Sequence, residues 1–238
     1  DRDERSIAAR EAGEERSSHR CESFSNDEPR GIVMAAVVGA GPRSAPVDPA
    51  SVDMSTALAG FALPSPVLTA SGCAAAGQEL SQFFPLEELG AVVTKSIKLR
   101  ARSGRPTPRM AETPSGMLNS IGLQGPGVDA FIEHDLAWLA DSGARIVVSI
   151  AGGTTDDFVA LAKRLYGHPA ISMLEENISC PNVERRGEVF ACDPGASSRV
   201  ISAVRRAADP AIPIFAKLTP DVTDIASVAR ACMESGAD

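Results

Sequence analysis

From Leu58 onward the chain alternates short, continuously apolar runs with segments whose apolar residues recur at helical spacing. The apolar runs are Val67 to Thr69, Ala91 to Ile97 (AVVTKSI), Arg145 to Ala151 (RIVVSIA), Met173 to Ser179 and Ile212 to Leu218 (IPIFAKL). The segments read as helices are Gln78 to Leu89, Val128 to Asp141, Thr155 to Leu165, Ala196 to Ala207 and Val222 to Ser235, with Gly90, Gly143 and Gly236 as stops. A strand that is apolar on both faces must be covered on both, and strands alternating with amphipathic helices are the pattern of parallel βαβ units. No GxGxxG follows the first strand and no P-loop occurs, so a Rossmann dinucleotide site has little support. The expected fold is therefore α/β, a (β/α)8 TIM barrel. Five core strands are read after Met54, and the chain stops at Ala237-Asp238, where a sixth is expected to start. Such barrels need ~250 residues, so residues 54–238 are expected to form an incomplete one, about five of the eight strands.

Residues 1–53 break the pattern. The first thirty or so are crowded with Arg, Glu, Asp and Ser without apolar periodicity, and Gly31 to Asp53 is rich in Ala, Gly and Pro. They read as a disordered extension or linker, with the ordered domain running from Met54 to Asp238. The net charge of −8 argues against nucleic acid or an anionic membrane as a partner. The longest suspicious apolar stretch, Ile32 to Ala40, is too short to span a bilayer and reads poorly as a signal peptide. Five cysteines occur with no CxxC and no zinc spacing, so no metal site is expected. Their odd number without a secretory signal suggests reduced thiols and a cytoplasmic location.

In a barrel of this class, reactive residues sit at the carboxyl ends of strands. Polar residues gather at those ends here: Ser71, Lys95 and Ser96, Ser149, Asn177 and Cys180, and Lys217. The stretch Asn177-Ile178-Ser179-Cys180-Pro181-Asn182 sets a thiol among amides. Two readings stand side by side: a general base whose pKa lies near working pH, or a buried loop cysteine. Lys95 (VVTKSI) and Lys217 (IFAKLT) lie inside apolar strands, in a chain with only four lysines against nineteen arginines. A buried ammonium is costly unless it meets an anion or a polar ligand, or reaches the strand end. Ala70-Ser71-Gly72 is either an ordinary turn or a place where backbone approaches a flat cofactor closely. Gly116 to Gly127 reads as a long Gly-rich loop over a strand end, with Asn119 available to bind polar atoms.

Together these pieces resemble the class 1 dihydroorotate dehydrogenases, closest to the iron–sulfur, NAD-coupled class 1B catalytic subunit. The carrying motifs are LTASGC, VVTKSIKLRARSGRPTPRMAETPSGMLNSIGLQ, NISCPNV and FAKLTP, colinear from about Met54 to Asp238. The resemblance implies oxidation of dihydroorotate to orotate in pyrimidine (UMP) synthesis. Cys180 would take a proton from C5, and hydride from C6 would pass to FMN. Lys95, Asn119, Ser120, Ile121, Gly122, Leu123, Asn177 and Asn182 would bind substrate. Ala70, Ser71, Gly72, Lys95, Ser96, Ser149, Asn177 and Lys217 would bind FMN. It further implies a homodimer, or a heterotetramer with an electron-transfer subunit carrying FAD and a 2Fe–2S cluster. Ser149 stands where the coupled form usually has Asn, and Gly125 where the family's GLQNPG has Asn. The C-terminal third of the family, with its flavin-phosphate loops, has no counterpart, so FMN binding by this chain alone is expected to be poor. The alternatives are a dihydropyrimidine dehydrogenase-type flavin enzyme, direct use of fumarate as acceptor, or an inactive truncated product.

Overall fold

The structure, a computed structural model, describes residues 48–179 and 189–238. Residues 51–238 make up one compact unit. Its centre is a parallel sheet of strands β3 (Val92–Val93), β6 (Ile146–Ile150), β7 (Ile171–Asn177) and β8 (Ile214–Lys217), in that order. A single parallel bridge, Leu68 to Ala91, adds a position outside β3. Lateral order thus follows chain order, each parallel strand position lying beside the one before it in sequence. Two antiparallel hairpins stand apart from this sheet: β1 (Thr56–Leu58) with β2 (Phe61–Leu63), and β4 (Met110–Thr113) with β5 (Gly116–Asn119).

Alternation along the strands separates two apolar clusters. Val92, Ile146, Val148, Ile150, Leu174 and Ile214 join the larger one, with Phe158, Leu161, Val200, Ile201 and Val228 from the helices. Val93, Val147 and Met173 turn the other way and pack with Leu63, Phe61 and Phe215. Both faces of the sheet are therefore covered, which is why its strands read as unbroken apolar runs. Helices α3 (Thr155–Leu165), α4 (Pro194–Ala207) and α5 (Ile225–Glu234) start at capping side chains. Thr154 and Asp157 form a reciprocal capping box on α3, Asp193 Oδ1 accepts from Ala196 N, and Asp224 Oδ1 accepts from Ser227 N. Each such cap contributes on the order of 1 kcal/mol.

Several sequence expectations need correction. The described strands form an open sheet of four, against the about five strands expected of an incomplete barrel, and the first expected strand contributes one bridge only. Gln78 to Leu89 is not a helix but two 3-10 turns, Leu80–Gln82 and Leu86–Glu88. Pro85 lies between them with extended backbone (ψ 128°), and it has no N–H to continue a helix. Gly116 to Gly127 is not all loop, since its first four residues pair with Met110–Thr113. The expected helix over 128–141 is present as α1 (Val128–Ala130), a π segment (Phe131–Leu136) and α2 (Ala137–Asp141). Helix α4 begins two residues early because proline suits the first helical turn. Helix α5 begins three late, at the Asp224 cap. Of residues 1–53, those up to 47 lie outside the described residues, and Pro49–Ser51 is a 3-10 turn.

Candidate active site

Parallel strands deliver their carboxyl ends to one edge of the sheet, and the polar residues singled out in the sequence meet there. The register pairs Ser149 with Glu175 and Asn177 with Lys217. Ser71, Ser96 and Ser149 form a triangle of hydroxyls: Ser71 to Ser96 at 3.0 Å, Ser71 to Ser149 at 3.2 Å, and Ser96 to Ser149 at 3.0 Å. Ser149 Oγ donates to Glu175 Oε1 (2.7 Å), and Asn177 Nδ2 donates to Ser96 Oγ (2.9 Å). Ser179 Oγ donates to Asn177 Oδ1 at 2.7 Å. Ser149 is fully buried, so its hydroxyl needs these partners, and a complete set rigidifies the edge.

Over this network lies a cavity of about 200 Å³ walled by Ser71, Gly72, Lys95, Ser96, Lys98, Leu123, Ala151, Asn177 and Lys217. Three of the chain's four lysines thus line one small space. Ammonium groups held together repel one another in free solution, so their convergence at half-buried strand ends points to an anionic or polar ligand. Gly72 (φ +88°) sits at the rim in a turn, with open space where a side chain would stand. The donors are hydroxyls, an amide and ammonium groups. They fit the polar edge of a flat heterocycle such as a flavin ring, while Gly72 leaves its face room to approach.

Not every expected residue reaches the cavity. Ala70 is exposed and closes the turn, its carbonyl accepting from Cys73 N (3.0 Å). Asn119 and Ser120 are exposed at the end of the β4–β5 hairpin, where Ser120 N donates to Arg109 O. Ile121 and Gly122 are half-buried and pack beside Gly104 and Arg105 instead. Of the expected substrate loop, Leu123 alone is part of the wall. Cys180 and Asn182 lie outside the described residues.

The sequence reading missed two residues. Glu175 anchors Ser149 from within β7, and the argument applied to Lys95, a charge inside an apolar strand, applies to it equally. Its neighbour Glu176 points the opposite way, into the helix layer, where its carboxyl is fully buried and has no hydrogen-bond partner. Burial holds its pKa well above the usual carboxylate range, a rise that Arg205 only partly offsets.

Among the described residues, no helix is long and apolar enough to cross a membrane, and no group of three His, Cys, Asp or Glu residues is poised to hold a metal. The family profile described as dihydroorotate dehydrogenase matches residues 53–238. A protein of Geotalea daltonii is 44% identical over 189 residues, covering 79% of this chain and 61% of its own length. One of Anoxybacillus flavithermus is 45% identical (76% and 57% covered), and one of Pelobacter propionicus 46% identical (78% and 60% covered). All three are named dihydroorotate dehydrogenase B (NAD(+)), catalytic subunit. The chain spans about three-fifths of the length of these relatives.

Proposed function

Since this chain belongs to the dihydroorotate dehydrogenase family, we propose that it serves the oxidation of dihydroorotate to orotate on FMN, in pyrimidine synthesis. The observation that carries this reading is the convergence of Lys95, Lys98 and Lys217 with the Ser71–Ser96–Ser149 triangle and Asn177 on one cavity at the strand ends. When bound, FMN supplies the acceptor for the hydride that leaves C6 of the substrate. Lys217, Ser71 and Ser96 hold the polar edge of the ring, and Ala70 and Gly72 line its approach. Glu175 fixes Ser149, and through it the hydroxyl triangle. Lys95 and Asn177 face both ring and substrate. Asn119, Ser120, Ile121, Gly122, Leu123 and Asn182 complete the substrate pocket, and Cys180 removes the C5 proton.

Two features support a (β/α)8 barrel as the complete architecture: the sequential order of the parallel strand positions, and the second apolar face around Val93, Val147 and Met173. The words NAD(+) and catalytic subunit in the relatives' names support electron transfer onward to NAD through a partner subunit. The proposal further gives that partner FAD and a 2Fe–2S cluster, and gives the catalytic chain a dimeric state and a cytoplasmic location. Residues 1–53 lie outside the catalytic domain. Limited trypsin digestion is expected to remove them and leave a fragment starting near Met54; protection of the arginines between Arg10 and Arg30 would contradict this.

Titration with FMN of the flavin-free full-length protein, with the family's C-terminal third present, tests the ring contacts. A lost hydrogen bond to a charged group costs ~1.5–3 kcal/mol, so Lys217→Ala is expected to weaken FMN binding roughly 10- to 100-fold. Lys95→Ala is expected to weaken FMN binding and also to slow dihydroorotate oxidation. Normal flavin affinity in both variants would remove the lysines from the site. Absence of orotate formation by the flavin-loaded wild type would overturn the functional reading itself.

A further inference from the structure

Beside the strand-end cavity lies a larger one of about 390 Å³ that the proposed chemistry does not use. The two share the walls Lys98 and Ala151. The parallel bridge between Ile97 and Ile150 sets those walls side by side, and Ala151 N donates to Ile97 O at 2.9 Å. The larger cleft adds Arg100 and Arg102, so among the described residues its lining holds three cations and one carboxylate, Asp157. That carboxylate is already engaged: its Oδ2 accepts from Gly153 N (2.9 Å) and Thr154 N (3.2 Å) at the start of α3. Arg100 is exposed, Lys98 and Arg102 are half-buried, and of the three Lys98 also lines the strand-end cavity.

The chain as a whole carries a net charge of −8, so a local group of cations stands against an acidic background. A concave cationic strip on such a protein focuses the field and raises local anion concentration. We infer that the Lys98–Arg100–Arg102 cleft is the approach path of the anionic substrate, which collects its carboxylate from solvent and passes it along Lys98 into the strand-end cavity. This inference rests on the proposed function, which names a substrate bearing one carboxylate. Arg100 acts on the encounter and makes no contact with the bound ligand.

The test is rapid mixing of orotate with the flavin-loaded full-length protein, with the family's C-terminal third present, read by the flavin absorbance shift. Ionic strength is varied from about 10 mM to about 1 M, over which the screening length falls from ~30 to ~3 Å. Steering of this kind changes association rates by roughly 10-fold or more, so the wild-type association rate constant is expected to fall at least about 10-fold across the series. At low salt Arg100→Gln is expected to associate about 3-fold more slowly and Arg100→Glu about 10-fold more slowly, both meeting the wild type at high salt. Arg100→Lys keeps the charge and is expected to keep the rate. Dissociation should be the same in all four proteins. Wild-type association by Arg100→Glu at low salt, or an effect confined to dissociation, would overturn the inference while leaving the functional reading standing. Failure of orotate to bind the wild type at all would overturn both.

Discussion

Replacing Cys180 with serine is expected to slow reduction of bound flavin by dihydroorotate by roughly 10²- to 10⁴-fold, the usual contribution of a positioned general base. A thiol ionises near ~8.5 in the absence of perturbation, whereas a serine hydroxyl does not ionise in the working range. Serine therefore keeps the shape and removes the base. Orotate binding is expected to survive, because the lysines and Asn177 line the cavity independently of residue 180. The wild-type rate should climb with pH as the thiolate fraction grows, and the serine variant should lose that dependence. The measurement is single-turnover flavin reduction without oxygen across a pH series, in the full-length protein with the family's C-terminal third present. A serine variant as fast as the wild type would move the base elsewhere. Cys73 would be the first alternative, being exposed and adjacent to Gly72 at the cavity rim. Cys192 is also exposed, but it faces the carbonyl of Asp221 and lines a separate space.

Glu176→Leu is expected to make the protein more stable at neutral pH, by about 1.4 kcal/mol for each pH unit between the ordinary carboxylate pKa and the raised folded one, because the unfolded chain gains from an ionisation that the fold opposes. The wild-type carboxyl is fully buried without a hydrogen-bond partner, among apolar residues of the sheet–helix interface and within electrostatic reach of Arg205 and Cys232. Its folded pKa lies well above the ordinary value of 4.5. The neutral acid is thus the form the fold accepts. Its contribution to stability is fully present below 4.5, where folded and unfolded chains are both protonated. It is lost as pH rises through the raised folded pKa, because the unfolded chain releases its proton first. Within that window the wild type should lose up to about 1.4 kcal/mol per pH unit relative to Glu176→Leu. Below the window the two should converge toward the difference between a neutral acid and an alkyl group. Glu176→Gln should share the flat pH profile with a smaller gain. Urea unfolding of the three proteins from acid to neutral pH checks this. A wild-type-minus-variant difference that does not change with pH would show an unshifted pKa, and one that grows in favour of the wild type as pH rises would show a charged, paired carboxylate, either of which overturns the prediction.

Parallel α/β organisation was legible because it depends on periodicity. A strand covered on both faces must be apolar throughout, and a helix packed on a sheet must be apolar on one stripe; neither requires knowing what does the covering. The misread segments are those where a local backbone rule outweighed periodicity. Pro85 broke the helix that was read over Gln78 to Leu89. The β4–β5 ladder turned part of a Gly-rich loop into a hairpin.

The candidate site divides in the same way. From the sequence alone, Lys95 and Lys217 were conspicuous because a charge within an apolar strand must meet a partner, and the family motifs marked Cys180, which lies outside the described residues. Only the tertiary structure decided that Ser71, Ser96 and Ser149 close into a triangle anchored by Glu175, since residues 78 positions apart meet only through strand register. It likewise decided that adjacent glutamates have opposite fates. Successive side chains on a strand point to opposite faces, so Glu175 joins the polar edge and Glu176 is buried beneath the helices. The sequence names both as carboxylates in a strand. Which face belongs to the site depends on what packs against each side, and that is a property of the assembled sheet.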